Sequence, residues 1–183
     1  MNEKNIIDQN IVDERDNDQD FVLGEEHPLK AESRRDERFV AFHLIYALDR
    51  FDYTVSLDDL IQDFKDGFNL DVDAESFAYQ LAHGVVEQRD LLDEGIKPFL
   101  KNWKLERLGC CTRLILRMAL WELRQPDAIV SIVINEAVEL AKAFAEKDSY
   151  KFINGILDEI CKTIEKKAEN KIEDEDEPKT PLA

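Results

Sequence analysis

Residues 131–160 constrain the fold more than any other stretch, because two amphipathic patterns follow each other across a very short connection. The first places apolar residues at the i, i+3, i+4, i+7 spacing of a helix face, at Ile134, Ala137, Val138 and Ala141. The second does so with larger side chains, at Ile153, Ile156, Leu157, Ile160 and Ile164. A connection as short as Ala145-Glu146-Lys147 predicts that the two helices are antiparallel neighbours. Two such wide apolar faces need cover from earlier helices.

The rest of the chain predicts an all-α fold of about seven helices. Ser33 and Asp36 have capping-box spacing ahead of a helix over residues 34–48. One face of that helix is expected to carry the aromatic and neighbouring residues Phe39, Phe42, His43, Tyr46 and Ala47. Further helices are expected after Ser56 and after Asp73. The apolar helix over residues 112–123 is expected to be central and buried, and Gln125-Pro126-Asp127 ends it.

Charge divides the chain into a folded part and two acidic ends. The net charge is −17, and residues 1–30 hold nine acids and three bases, while residues 168–183 hold six acids and two bases. We therefore predict a disordered acidic extension over residues 1–30 and a disordered acidic tail over residues 168–183. Between them, residues 31–167 are expected to form the helical domain.

Catalytic and metal-binding patterns are not found in the sequence. The three cysteines and three histidines lack the spacing of zinc ligands, and no nucleophile elbow, phosphate loop or dinucleotide fingerprint occurs. We therefore predict no catalytic residue, no metal and no cofactor. No apolar run approaches the roughly 20 residues that span a bilayer, and the N-terminus lacks the features of a secretory signal, so no membrane role and a cytoplasmic location are expected.

A binding function remains, because basic and aromatic residues occur together in two places. Arg34, Arg35 and Arg38 precede Tyr46 on the first helix, and Lys151 adjoins Phe152 at the start of the last. Cations can hold phosphates while rings stack on unpaired bases. The alternatives are purely structural roles: the arginines form ion pairs with Asp36 and Glu37, and Phe152 occupies a core position.

The order of motifs resembles the NusB family of antitermination factors. The segments 135–142 (NEAVELAK) and 151–158 (KFINGILD) look like its C-terminal signature. Four further segments match in family order: the arginine-rich first helix, LAHGV at residues 81–85, WKLERL at residues 103–108 and LRMALWEL at residues 116–123.

The resemblance implies a non-enzymatic RNA-binding factor with a NusB-like all-α fold of two three-helix-like halves, over about residues 31–90 and 91–167. It implies action with NusE, a small-subunit ribosomal protein, on boxA-like single-stranded rRNA leader, within an RNA polymerase antitermination complex. By the same resemblance, RNA contacts would come from Arg34, Arg35, Arg38, Tyr46, Asp148, Lys151 and Phe152. Partner contacts would come from Tyr46, Thr112 and Arg113.

Several residues depart from the family pattern. Asp36 and Glu37 interrupt the arginine cluster, and Thr112 stands where the family commonly has an acid tied to the NusE contact. These departures and the acidic charge keep an alternative open: a protein-only helical adaptor or homodimer with lost or weak RNA binding. A weaker alternative is the accessory RNA-binding domain of an rRNA methyltransferase.

Overall fold

A computed structural model describes residues 32–68, 70, 72–101 and 103–175. Within them lie seven α-helices and two short 3-10 segments, with no strand, so the all-α prediction is confirmed. The helices are α1 (Arg34–Arg50), α2 (Leu57–Phe68), α3 (Phe77–Glu87), α4 (Arg89–Ile96), α5 (Cys110–Leu123), α6 (Val130–Phe144) and α7 (Ser149–Glu175). The 3-10 segments are Lys97–Phe99 and Leu105–Arg107. The predicted extension over residues 1–30 lies outside the described residues.

Helix α1 begins as the sequence predicts but turns a different face inward. The capping box is present, since Ser33 Oγ accepts from the Asp36 N–H and the Asp36 side chain accepts from the Ser33 N–H. The expected aromatic face is formed, since Phe39, Phe42 and His43 contact the Phe144 ring, but His43 and Tyr46 on this face are exposed. The buried face instead centres on smaller aliphatic side chains at helical spacing, Ala41, Leu44, Ile45 and Leu48.

The caps of α2 and α3 show one correct and one wrong prediction. Ser56 Oγ accepts from the Asp59 N–H at 3.0 Å and donates to its carboxylate at 2.7 Å, as the spacing predicts. Helix α3, in contrast, is capped by Ser76 rather than Asp73. The Asp73 carboxylate accepts the Glu75 N–H at 2.8 Å, which uses it in the turn before the helix.

Helix α5 is the centre of the fold, as predicted. It packs against α1, α3, α4, α6 and α7, and most of its length is buried. Gly84 lets α3 approach it closely, since a Cβ at this position would overlap the indole ring of Trp121. The helix ends at Leu123, just before the predicted break at Gln125-Pro126-Asp127.

Helices α6 and α7 are packed neighbours, and α7 is longer than expected. Buried α7 side chains include Ile153, Ile156, Leu157 and Ile160, which the apolar pattern predicts, whereas Ile164, predicted on the same face, is 44% exposed. The helix continues past Lys167 to Glu175, into the segment predicted to be a disordered tail. Lysine, alanine and glutamate all have high helix propensity, which outweighs the polar composition there. No described helix is both long and apolar enough to cross a membrane.

Candidate nucleic-acid interface

The predicted binding residues fall into two groups at opposite ends of the bundle. Helices α1 and α6 run parallel, because Arg35 meets Glu136 near one end while Phe42 stacks on Phe144 nearer the other. Arg34, Arg35 and Arg38 therefore lie beside the start of α6, and we call this the arginine end. Residues Tyr46, Thr112, Arg113, Asp148, Lys151 and Phe152 lie toward the other end, which we call the tryptophan end after Trp103.

The separation of these ends can be read along α5. Arg38 binds Glu122 near the C-terminus of this helix, whereas Thr112 lies in its first turn. Ten residues of α-helix span about 15 Å, at 1.5 Å per residue. The two groups of predicted residues are therefore centred about 15 Å apart along the bundle.

At the arginine end, Arg38 forms a buried ion pair. Its Nε and Nη2 atoms donate to Glu122 Oε2 at 3.0 and 2.7 Å, and its side chain is only 10% exposed. Burial is the main cause that raises the pKa of Glu122, although Arg38 opposes it. The prediction that Arg38 contacts RNA does not fit this geometry, because its guanidinium group is already bound to Glu122 inside the bundle.

Arg35 is held in a similar way, although it lies nearer to solvent. Its Nε and Nη2 atoms donate to Glu136 at 3.0 and 2.7 Å, while about half of its side chain stays exposed. The hydrogen bond from Arg35 is the largest cause that lowers the pKa of Glu136. Arg35 therefore carries a largely neutralised charge.

Arg34 is the most exposed of the three arginines, with 67% of its side chain accessible. Its guanidinium lies 4.5 Å from the centroid of the Phe77 ring and 3.4 Å from the Glu37 carboxylate. The opposite Glu37 oxygen accepts the Phe77 N–H at 2.9 Å, which joins α1 to the start of α3. The Glu37 carboxylate thus offsets the charge of Arg34, the most exposed of the three arginines. Little net positive charge therefore remains at the arginine end.

The tryptophan end presents its cations differently. Lys151 Nζ pairs with Asp148 Oδ1 at 2.7 Å, three residues away, and 66% of the lysine side chain is exposed. This hydrogen bond is the largest cause that raises the pKa of Lys151 and lowers that of Asp148. Asp148 has a φ of 66°, so the chain turns sharply before α7 begins at Ser149. Phe152 is half-buried against the core.

A groove of about 370 Å³ runs beside this turn, and we call it the Trp103 groove. Its lining includes Trp103, Arg107, Gly109, Glu146, Lys147 and Phe152. Trp103 is 57% exposed, and Arg107 and Lys147 are exposed cations. Two aromatic rings in a groove with cations on its walls are the parts that single-stranded nucleic acid needs, since rings stack on bases and cations track phosphates.

The predicted partner residues adjoin this groove, but Thr112 is buried. Its Oγ1 donates to Glu146 Oε2 at 2.8 Å and only 3% of the residue is exposed, so a direct partner contact through this side chain does not fit. Hydrogen bonds from the Glu146 backbone, and then from Thr112, lower the pKa of Glu146. A fixed carboxylate therefore sits beside the position where Thr112 replaces the acid expected from the family.

Arg113 belongs to a polar cluster between α1 and α5. Its Nη2 lies 3.4 Å from Asp49, which also accepts from Tyr53 at 3.0 Å and from the Cys110 thiol at 3.2 Å. Burial raises the pKa of Asp49, but these hydrogen bonds and the nearby guanidinium groups lower it overall. Burial, together with Asp49, raises the pKa of Cys110 to about 11. Arg113 thus has a structural partner already, whereas Tyr46 on α1 is 39% exposed.

Sequence reasoning missed three residues of the Trp103 groove: Trp103, Arg107 and Lys147. They lie in short connections, where no helical period indicates which side chains face solvent. The available signal was a large aromatic residue among alternating charges, in the segment KNWKLER at residues 101–107.

Known proteins share both this fold and these sequence segments. The model of the NusB family matches residues 35–162. The transcription antitermination protein NusB of Staphylococcus aureus (strain bovine RF122 / ET3-1) is 43% identical over 130 residues, which cover 71% of this chain and 99% of the relative. The corresponding protein of Macrococcus caseolyticus is 41% identical over 130 residues, covering 71% and 97%.

Solved structures give the same result. NusB of T. maritima matches with a TM-score of 0.62 and 32% identity, covering 71% of this chain and 91% of that one. A crystal structure of the antitermination factors NusB and NusE in complex with dsRNA matches with a TM-score of 0.59 and 26% identity, covering 71% and 96%.

Proposed function

Since the chain belongs to the NusB family of transcription antitermination proteins, we propose that it binds RNA together with NusE and so acts in antitermination. The related complex of NusB with NusE and dsRNA supports both partners. The RNA is a boxA-like single-stranded leader of rRNA, and the pair acts within an RNA polymerase antitermination complex. Such a role belongs in the cytoplasm, where bacterial transcription takes place.

The observation that carries the proposal is the Trp103 groove. An exposed tryptophan and a half-buried phenylalanine line it, and Arg107, Lys147 and Lys151 supply cations in or beside it. The Lys151–Asp148 pair is local and exposed, so a phosphate can displace the carboxylate at little cost, because exposed ion pairs contribute only about 0–1 kcal/mol. RNA is therefore held mainly at the tryptophan end.

The arginine end plays a smaller part in this proposal. Arg34 and Arg35 keep exposed surface and can add a peripheral phosphate contact, whereas Arg38 stabilises the fold. We assign the contact of α1 with NusE to Tyr46, which is 39% exposed on that helix.

Two variants matched in charge test where the RNA is held. Lys147→Gln/Lys151→Gln and Arg34→Gln/Arg35→Gln each remove two positive charges, one pair from each end. RNA affinity is measured with NusE present, by gel shift at fixed salt, because phosphate binding is strongly salt-dependent. We expect the lysine pair to weaken binding more than the arginine pair. A larger loss of RNA affinity in the arginine variant would instead place the RNA interface at the arginine end.

A protein-only adaptor or homodimer is the second candidate, and the neutralised arginines favour it. Glu136 and Glu122 occupy two of the three guanidinium groups that would otherwise face RNA. In this case the protein binds NusE or a second copy of itself, but the wild-type protein with NusE gives no gel shift of the RNA. Neither charge variant then changes the result of the gel-shift assay. Sedimentation of the protein alone, over a range of concentrations, measures self-association directly.

A further inference from the structure

The arginine end contains a second groove, and the proposed function leaves its apolar wall unused. Its volume is about 280 Å³, and we call it the Arg34 groove. Its lining includes Arg34, Phe77, Asp127, Ile129, Ile132 and Val133. Helix α1, the start of α3 and the connection between α5 and α6 thus form its walls.

One wall of this groove exposes an unusual amount of apolar surface. Ile129, Val130 and Ile132 are 59%, 41% and 46% exposed. Among the described residues, no other three large apolar side chains with such exposure lie within four positions of the chain. Helix α6 begins here at Val130 without a side-chain cap. A contiguous patch of this kind typically marks a docking surface.

The chain itself leads into this groove. Ser33 caps α1, and Arg34, the first residue of the helix, lines the groove. Everything before Ser33 therefore enters the bundle at the groove's edge. The family model begins at residue 35, so the preceding segment is additional to the part shared with the family.

That segment contains a matching apolar run. Phe21, Val22 and Leu23 form the longest run of large apolar residues before Ser33, and acids flank it at Asp18, Asp20, Glu25 and Glu26. Leu23 and Ser33 are ten positions apart, and an extended chain of that length can span up to about 33 Å. The run can therefore reach any point of a groove whose wall starts at Arg34.

We propose that Phe21, Val22 and Leu23 dock in the Arg34 groove, against Ile129, Ile132 and Phe77. The interaction is intramolecular, and a short tether gives an effective concentration on the order of millimolar. A weak intrinsic affinity is thus enough to keep the groove occupied and Arg34 covered.

Methyl NMR of the full chain tests this occupant. The δ1-methyl groups of Ile129 and Ile132 report on the groove, and that of Ile164, exposed on α7, is the internal reference. In the variant Phe21→Asp/Leu23→Asp, we expect the two groove methyl resonances to shift, since the ring of Phe21 leaves them, while Ile164 stays unchanged. The matched control Ile6→Asp/Ile7→Asp adds the same two charges elsewhere in the segment and should leave all three in place.

A second measurement starts from the groove side. Ile132→Asp changes an exposed residue, so the fold survives, and it should speed tryptic cleavage after Lys30 severalfold by releasing the segment. Unshifted methyl groups in Phe21→Asp/Leu23→Asp, or equal cleavage rates, would overturn the proposal. Groove shifts that appear only on raising the wild-type concentration would also overturn it, in favour of a second copy. No readout involves RNA, so this inference and the proposed function fail independently.

Discussion

The two ends of the bundle use the same kinds of residues for different purposes. At the arginine end, Arg35 and Arg38 reach carboxylates on α6 and α5, and both pairs are bidentate. At the tryptophan end, Lys151 pairs with a neighbour only three residues away and stays exposed. Long-range, partly buried pairs clamp helices together, whereas local exposed pairs leave a cation available to a ligand. In the proposed function, the position of the acidic partner, rather than the type of basic residue, distinguishes a structural residue from a binding residue.

Stability should reveal this contrast most strongly. Arg38→Ala leaves Glu122 buried without its partner, which typically costs about 3–5 kcal/mol of unfolding free energy. Lys151→Ala removes only an exposed charge, and such changes usually stay within about 0.5 kcal/mol. Urea unfolding of both variants measures the difference. The double variant Arg38→Ala/Glu122→Ala should recover part of the loss; similar stabilities for the two single variants would remove the structural role of Arg38.

RNA affinity should show the contrast in the opposite direction. Trp103→Ala should weaken RNA binding by the value of one stacked base, about 1–3 kcal/mol, with unchanged unfolding free energy. Trp103→Phe keeps a ring and is the matched control. Fluorescence anisotropy of labelled RNA, with NusE present, measures both. Equal affinity of Trp103→Ala and the wild-type protein would mean that no base lies on this ring.

The arginine partners explain why sequence alone could not distinguish the two ends. Asp36 and Glu37 were the local candidates for pairing, yet only Arg34 uses Glu37. Arg35 and Arg38 pair with residues 101 and 84 positions away, which no local pattern encodes. The periodic spacing of apolar residues, by comparison, predicted most of the buried faces of α5 and α7, because buried positions repeat along a helix. Gly84 was also informative, since a glycine inside a helix indicates a close neighbour, here Trp121.

The Trp103 groove illustrates the opposite limit. Motif order linked residues 103–108 to the NusB family, but an irregular segment carries no period that assigns its exposed side chains. Phe152 was left between a core position and a binding position. In the structure, Phe152 packs against the core and also lines the Trp103 groove.

A smaller effect should appear in the salt dependence of RNA binding. Each phosphate neutralised on a single strand contributes about 0.7 to the slope of log K against log salt concentration. Lys151→Ala should lower the magnitude of this slope by about that amount. Arg35→Gln is the control from the other end, and its change should be smaller because Glu136 already holds Arg35. An equal change in both variants would mean that the Arg35 pair opens for RNA.

The smallest expected effect concerns acid stability. The pKa of Glu136 is lowered in the folded state, so its pair with Arg35 stabilises the protein above the ordinary carboxyl pKa of about 4.3. That stability is lost as pH falls from this value through the folded pKa. Glu136→Gln should therefore reduce the dependence of unfolding free energy on pH in this range, by less than about 1 kcal/mol because Arg35 is half-exposed. Unfolding curves between pH 3 and pH 7 check this, and an unchanged profile would leave Glu136 without a charged role.

The most direct test of the central claim uses the emission of Trp103. The chain has two tryptophans, and Trp121→Phe leaves Trp103 as the only one. Single-stranded boxA-like RNA is titrated into this variant with a NusE free of tryptophan, while a labelled RNA end reports binding separately. The account predicts that Trp103 fluorescence is quenched in parallel with binding, because a base stacks on the indole. Saturating RNA binding with unchanged Trp103 emission would contradict it and place the RNA away from the tryptophan end.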